Sequence, residues 1–216
     1  MRKSLSQQIL NTCLTMNTQG INQGSAGNVS ARYEDGFLIT PSGVSYDKLR
    51  SDDIVFVGLD GSSDDALLPS SEWRMHLDIY QSLPKAGAVV HCHSTFATAL
   101  SCLRRDIPAF HYMVAVAGGQ DIRCSDYALF GTQELSNHML KALEHRRACL
   151  LGTHGMIGFH DNLEKALALA IEVETLARQY WHASLAGEPV LLSDTQMAEV
   201  LMKFETYGKQ PSNRDS

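Results

Sequence analysis

His91 and His93 stand two residues apart with Cys92 between them. On an extended segment alternate side chains share a face, so both imidazoles project together while Cys92 points into the packing behind. Two such rings repel if both are protonated, whereas a divalent cation binds both as neutral ligands. A catalytic zinc needs a third protein ligand and an open position. His154, in Gly152-Thr153-His154-Gly155, follows a buried run and is the preferred third ligand. His76, one helical turn after Glu72, is a rival through i, i+4 geometry, and spacing alone leaves the choice open. Glu72 offers a fourth oxygen ligand or a general base. His111, His138, His145, His160 and His182 read as packing or surface residues.

Three short stretches have the composition of an anion cradle: Gly27-Asn28-Val29-Ser30, Thr40-Pro41-Ser42-Gly43 and Pro69-Ser70-Ser71. Exposed backbone N–H groups, hydroxyls and a helix N-terminus together bind a dianion well. Each stretch alone is more often a turn or a cap. Their meaning lies in convergence: lining one pocket beside the histidines, they imply a ligand with phosphate at one end and metal at the other.

Positioning these groups requires a frame, and the hydrophobic pattern supplies one. A helix is expected over about residues 5–18, with Ile9, Leu10, Cys13 and Leu14 on one face and Gly20 ending it. Strands are expected over 28–33 and 37–40 around the hairpin signal Glu34-Asp35-Gly36, and over 54–59. Ser70 and Ser71 supply capping hydroxyls for a helix from 72 to about 83, which Pro84 stops. A buried strand over 88–93 carries the paired histidines and precedes a small-residue helix over 97–103. A block rich in Val, Ala and Gly covers 107–124. Then come a helix over 132–145, a strand over 148–151, a long helix over 163–186 and a last helix over about 195–207. Tight turns between several strands argue for a mixed α/β sheet with antiparallel pairs.

The chain has 216 residues, enough for one sizeable domain and too few for two average ones. At 44% hydrophobic and 19% charged it can bury a core. Residues 1–208 form the expected single domain, and residues 209–216 a mobile polar tail. The formal net charge is −6, with basic residues scattered, which argues against binding to nucleic acid. The longest apolar run, residues 166–171, is too short to cross a bilayer, and the opening MRKSLSQQIL has no apolar stretch of a secretory signal. Five cysteines, with no CxxC spacing, read as reduced thiols of a cytoplasmic protein.

The motifs GNVS, TPSG, SSEW, HCH and GTHG occur in the order and at the spacing of the class II aldolase/adducin-like family, which the chain resembles from its first helix to Gly208. IPAFHYMVAVAGG, LFGT and NLEKALALAIEVE are similar to the branch that acts on L-fuculose 1-phosphate. The resemblance implies a three-layer α/β/α fold around a largely antiparallel sheet, assembled as a homotetramer with active sites at subunit interfaces. It implies that His91, His93 and His154 hold Zn2+ (or another divalent ion), with Glu72 as acid/base and a metal ligand when substrate is absent. Gly27, Asn28, Ser42, Gly43, Ser70 and Ser71 are implied to hold the phosphate. Tyr112 is implied to reach in from a neighbouring subunit, with Phe130 and Tyr207 lining the aldehyde end.

The implied reaction is reversible cleavage of the C3–C4 bond of a ketose 1-phosphate to dihydroxyacetone phosphate and an aldehyde. Zinc would meet the charge that develops on the substrate oxygens, Glu72 would protonate the freed carbon, and Tyr112 would handle the proton on the C4 oxygen. A Schiff-base lysine is the competing chemistry. Lys48, Lys85, Lys141 and Lys165 adjoin turns or amphipathic helices, which argues against it. The rival readings are an aldolase for 5-deoxyribulose or 5-methylthioribulose 1-phosphate, a dehydratase of methylthioribulose 1-phosphate, a pentulose-5-phosphate 4-epimerase and a non-catalytic adducin-like module. Ser70-Ser71-Glu72 stands where epimerases of the family have an SSD-type motif. The three histidines and Glu72 together argue against a scaffold.

Overall fold

The structure, a computed structural model, describes residues 1–63 and 65–205. In chain order the elements are α1 (Arg2–Thr18), β1 (Asn28–Tyr33), β2 (Gly36–Ile39), β3 (Val55–Gly58), α2 (Trp73–Ser82), β4 (Ala88–Cys92) and α3 (Thr95–Cys102). α4 (Gln133–Ala142), β5 (Ala148–Leu151), β6 (Gly155–His160), α5 (Leu163–Ala186) and α6 (Asp194–Phe204) follow. The six strands form one sheet in the order β3-β2-β1-β4-β6-β5, with every neighbouring pair antiparallel.

Strand alternation divides the core in two. Val29, Ala31, Leu38, Val90, Cys92, Leu150 and Met156 face one cluster, which α1, α3 and α5 cover. Phe37, Ile39, Val55, Val57, Val89, Cys149 and Ile157 face the other, beneath α2 and α4. Because both faces are buried, β2, β3, β4 and β5 read as nearly continuous apolar runs, and the sheet needs a helical layer on each side. The expected three-layer α/β/α fold with an antiparallel sheet is present. Among the described residues no helix is long and apolar enough to cross a membrane.

α1 has neither a side-chain cap nor an acidic residue in its first turn. Its fully buried Ile9, Cys13 and Met16 hold it instead. A buried side chain of that size contributes about 1.5–3 kcal/mol, more than any end effect. β1 and β2 join through Glu34-Asp35, with Tyr33 opposite Gly36.

Several boundaries differ from expectation. The strand bearing the paired histidines ends at Cys92, so His93 lies just beyond it and ahead of Ser94, the N-cap of α3. Ser70 and Ser71 do not cap α2: Glu72 occupies the N-cap with no side-chain bond, and Ser70 Oγ instead accepts from Glu72 N–H at 3.3 Å. β6 has no counterpart among the expected strands, because two glycines and a histidine break its apolar run. Part of the block over 107–124 winds as a 3-10 turn, Tyr112–Ala117. α6 is described to Phe204, and Tyr207 and the tail over 209–216 lie outside the described residues.

Candidate metal centre and active site

β4 is central in the sheet, between β1 and β6, and it carries His91 one residue before its end. Cys92 is fully buried in the opposite core, as alternation requires. His154 rides the loop joining β5 to β6. Its N–H lies 2.9 Å from Leu151 O and 3.3 Å from Ser101 Oγ, and Thr153 beside it sits at φ 57°. Gly155 follows because a Cβ there would come within 2.6 Å of Cys92 O and 2.9 Å of His93 Cδ2. Glu72 enters from the start of α2.

These four side chains converge. Each offers one ligand atom, and the four atoms lie within 4.8 Å of one another. His91 Nε2 is 3.1 Å from His93 Nε2 and 3.0 Å from Glu72 Oε2, and His154 Nε2 is 3.1 Å from Glu72 Oε1. The three rings are arranged as a propeller, with centroids 4.9–5.0 Å apart and planes inclined at 71–73°. A tetrahedron with bonds of ~2.0–2.1 Å has edges of about 3.3 Å, close to these separations.

Protonation fits the same reading. Burial alone raises the carboxyl of Glu72, but His91 and His154 outweigh it and hold the group well below the usual carboxylate range. Burial, aided by the neighbouring His91 and His154, pushes His93 down to about 4. His91 moves the other way: burial lowers it, but Glu72 beside it outweighs burial and raises the ring above its ordinary value. A bound cation would take the place of that proton, because ionised carboxylates and neutral imidazoles are the forms that ligate. The Nδ1–H of His91 donates to Met156 O at 2.8 Å, which directs the Nε2 lone pair into the cluster. Glu72 Oε1 is buried without a hydrogen bond although His154 Nε2 is near, the sign of lone pairs aimed at a shared point. Three imidazole nitrogens and a carboxylate suit zinc and also other borderline divalent ions.

The three cradle segments are neighbours in space. Thr40 N–H donates to Val29 O at 3.1 Å, Ser70 N–H to Thr40 O at 3.0 Å and Ser42 N–H to Leu68 O at 3.1 Å. Pro41 and Pro69 form an isolated bridge. Ser42, Gly43 and Ser71 are exposed, whereas Gly27, Asn28 and Ser70 are buried. Gly43 sits at φ 70° with open space beside it. Asn28 has both amide atoms engaged: Nδ2 donates to Glu72 Oε2 at 3.0 Å, and Oδ1 lies 2.6 Å from His76 Nε2.

A cleft of about 350 Å³ opens at the cluster, lined by Ser71, Glu72, His93, His154, Tyr127 and Phe130 among others. Tyr127 was not anticipated, since nothing in its local pattern marks it. It stands under Arg104, 5.7 Å from ring centroid to guanidinium, and Arg104 Nε donates to Thr153 Oγ1 at 3.0 Å. Tyr112 does not line this cleft; it is 51% exposed at the start of the 3-10 turn. A larger cavity of about 740 Å³ lies toward the far end of β6, near Lys85, Arg147 and His160, away from the ligating groups. His76 is not part of the ligand cluster. It is fully buried and held by Asn28 and Ser30, which removes it as the rival third ligand.

The fold, the four converging ligands and the adjoining cleft belong together in one family. The chain is a member of the Class II Aldolase and Adducin N-terminal domain family, whose profile matches residues 7–181. It is 54% identical over 208 residues to the L-fuculose phosphate aldolase of Escherichia coli, spanning 96% of this chain and 97% of that one. It is 52% identical to the 5-methylthioribulose-1-phosphate/5-deoxyribulose-1-phosphate aldolase of Rhodospirillum rubrum, over 96% and 94% of the two chains. A solved L-fuculose 1-phosphate aldolase superposes with a TM-score of 0.91 at 39% identity, covering 94% of this chain and 96% of that one.

Proposed function

We propose that this protein is a metal-dependent class II aldolase that reversibly cleaves a ketose 1-phosphate, L-fuculose 1-phosphate or a related deoxy-pentulose 1-phosphate, to dihydroxyacetone phosphate and an aldehyde. The observation that carries the reading is the convergence of Glu72, His91, His93 and His154 at the cleft. His91, His93 and His154 hold the ion, which we take to be Zn2+, and Glu72 joins them when no substrate is bound. When bound, the ion acts as a Lewis acid toward the oxygens where negative charge develops as the carbon–carbon bond breaks.

The remaining work falls to this chain's own groups. Glu72 gives a proton to the carbon freed by cleavage and removes it in the condensation direction. Gly27, Asn28, Ser42, Gly43, Ser70 and Ser71 form the phosphate cradle, in which the hydroxyls of Ser42, Ser70 and Ser71 donate to the phosphate and the glycines leave room for it, with no lysine or arginine among them. Phe130, on the cleft wall, lines the aldehyde end together with Tyr207. Tyr112 serves the C4 oxygen from a neighbouring subunit of a homotetramer. Its exposure in the single chain, beside its absence from the cleft wall, supports that arrangement. Residues 1–208 act as one catalytic domain, located in the cytoplasm.

A second reading keeps the same chemistry with 5-deoxyribulose or 5-methylthioribulose 1-phosphate as substrate. The near-equal likeness to the R. rubrum enzyme favours it enough to require a direct test. Condensing dihydroxyacetone phosphate with L-lactaldehyde, acetaldehyde, glycolaldehyde and methylthioacetaldehyde separates the two by the aldehyde with the highest kcat/KM. Turnover of a ketose 1-phosphate without release of dihydroxyacetone phosphate would instead identify a dehydratase, and turnover of a pentulose 5-phosphate an epimerase.

A further inference from the structure

Behind Glu72 runs a line of buried polar side chains. Asn28 and Ser30 lie two apart on β1, and His76 and Tyr80 one turn apart on α2. Tyr80 Oη is 2.8 Å from Ser30 Oγ, and Ser30 Oγ is 2.6 Å from His76 Nδ1. His76 Nε2 is 2.6 Å from Asn28 Oδ1, and Asn28 Nδ2 donates to Glu72 Oε2 at 3.0 Å. None of these groups is needed to close the ligand cluster, and three of them touch neither cleft nor ligand.

The direction of the line follows from its acidic end. An ionised carboxylate only accepts, so Asn28 turns its NH2 to Glu72 and its carbonyl oxygen to His76. That oxygen also only accepts, so the ring hydrogen of His76 sits on Nε2. Burial pushes His76 down to about 3, so the ring is neutral and has a single hydrogen to place. Nδ1 therefore accepts from Ser30, and Ser30 in turn accepts from Tyr80. Each donor points toward the carboxylate.

At Glu72 the result is an asymmetry. Each oxygen faces an imidazole, Oε2 with His91 Nε2 at 3.0 Å and Oε1 with His154 Nε2 at 3.1 Å. Only Oε2 is also anchored from behind, by the amide of Asn28, whereas Oε1 has no such bond. We propose that His76 is a positioning residue: locked as the Nε2–H tautomer, it fixes Asn28, which pins Oε2 of Glu72 and leaves Oε1 as the atom that carries the proton. The inference rests on the acid/base role given to Glu72 above and adds the atom and the device that selects it.

Two variants and one spectrum test it. His76→Gln places an amide N–H near the former Nε2, and His76→Asn places one near Nδ1. The Gln variant is expected to retain kcat, while the Asn variant loses about 10- to 100-fold in kcat, with KM for the ketose 1-phosphate and bound metal unchanged in both. Equal loss in the two, or an effect on KM alone, overturns the proposal. Nitrogen-15 NMR of histidine-labelled, zinc-loaded wild type reads the tautomer whether or not the variants fold. A neutral ring protonated on Nε2 supports the chain, and one protonated on Nδ1, or an imidazolium at neutral pH, overturns it. Failure of the aldolase reading is seen separately, as wild type that neither binds metal nor releases dihydroxyacetone phosphate.

Discussion

For each histidine of the cluster, the useful quantity is which ring nitrogen is free. Met156 O takes the Nδ1–H of His91, so Nε2 is the nitrogen left to face the cluster, and the low value of His93 keeps that ring neutral. His154→Ala removes one of three imidazoles, the one carried by the β5–β6 loop. Bound metal, measured by elemental analysis after dialysis, should fall by more than the roughly 10- to 100-fold loss of affinity that a missing outer partner costs. Glu72→Gln should behave differently, keeping the metal on the three histidines while kcat falls about 10²- to 10⁴-fold. A Gln variant with wild-type kcat would remove Glu72 from proton transfer. At this scale much was legible in the sequence, because alternation along an extended chain puts His91 and His93 together even though β4 itself stops at Cys92. His154 against His76 was not, because the choice turns on what β1 places beside α2: Asn28 and Ser30 enclose His76, and no local pattern encodes that pairing.

The elements hold the ligands through contacts distant in sequence. α3 begins immediately after His93 and Ser94, and its N-cap makes no side-chain bond. Glu174, from the middle of α5, does the capping instead: its carboxylate accepts from Phe96 N–H at 2.9 Å and Ala97 N–H at 2.9 Å. A carboxylate at a helix N-terminus satisfies orphan donors and meets the positive end of the dipole. Glu174→Ala should therefore destabilise the fold by about 1–2 kcal/mol in urea titration. It should also weaken metal binding by about 10-fold through a loosened His93, and Glu174→Gln should recover much of both. A stability loss with metal affinity unchanged would mean that the cap serves the helix alone. The expected elements matched the structure where apolar periodicity was strong, as in α5, whose observed ends agree with expectation. β6 escaped because Gly155, which the close approach of Cys92 and His93 requires, and Gly158 interrupt its apolar run and leave no hydrophobic pattern to read. Glu174 likewise looks like one more charge on an amphipathic helix until α3 is packed against it.

At the scale of the whole molecule, two properties follow from groups already named. The first is acid sensitivity. In the unfolded chain an imidazole titrates near 6.5, whereas buried His76 titrates near 3. Above pH 6.5 both states are neutral there; as pH falls from 6.5 toward 3 only the unfolded chain takes up the proton, so stability contributed by this site is lost on acidification, by up to ~1.4 kcal/mol per pH unit. The urea midpoint of wild type should drop more steeply over that window than that of His76→Gln, and parallel slopes would show that the site does not contribute. The second property is assembly. If Tyr112 acts in the cleft of an adjacent chain, a working site takes Glu72 from one subunit and Tyr112 from the next. Tyr112→Phe and Glu72→Gln homotetramers should then each be nearly inactive, yet unfolding and refolding them together in equal amounts should restore activity. With random association about one quarter of the sites in the mixture pair an intact Glu72 with an intact Tyr112. Recovery should approach that fraction of wild-type kcat, reached only after subunits exchange and not on simple mixing. Were both residues required from one chain, no hybrid would hold a complete site, and the refolded mixture would stay as inactive as its parents.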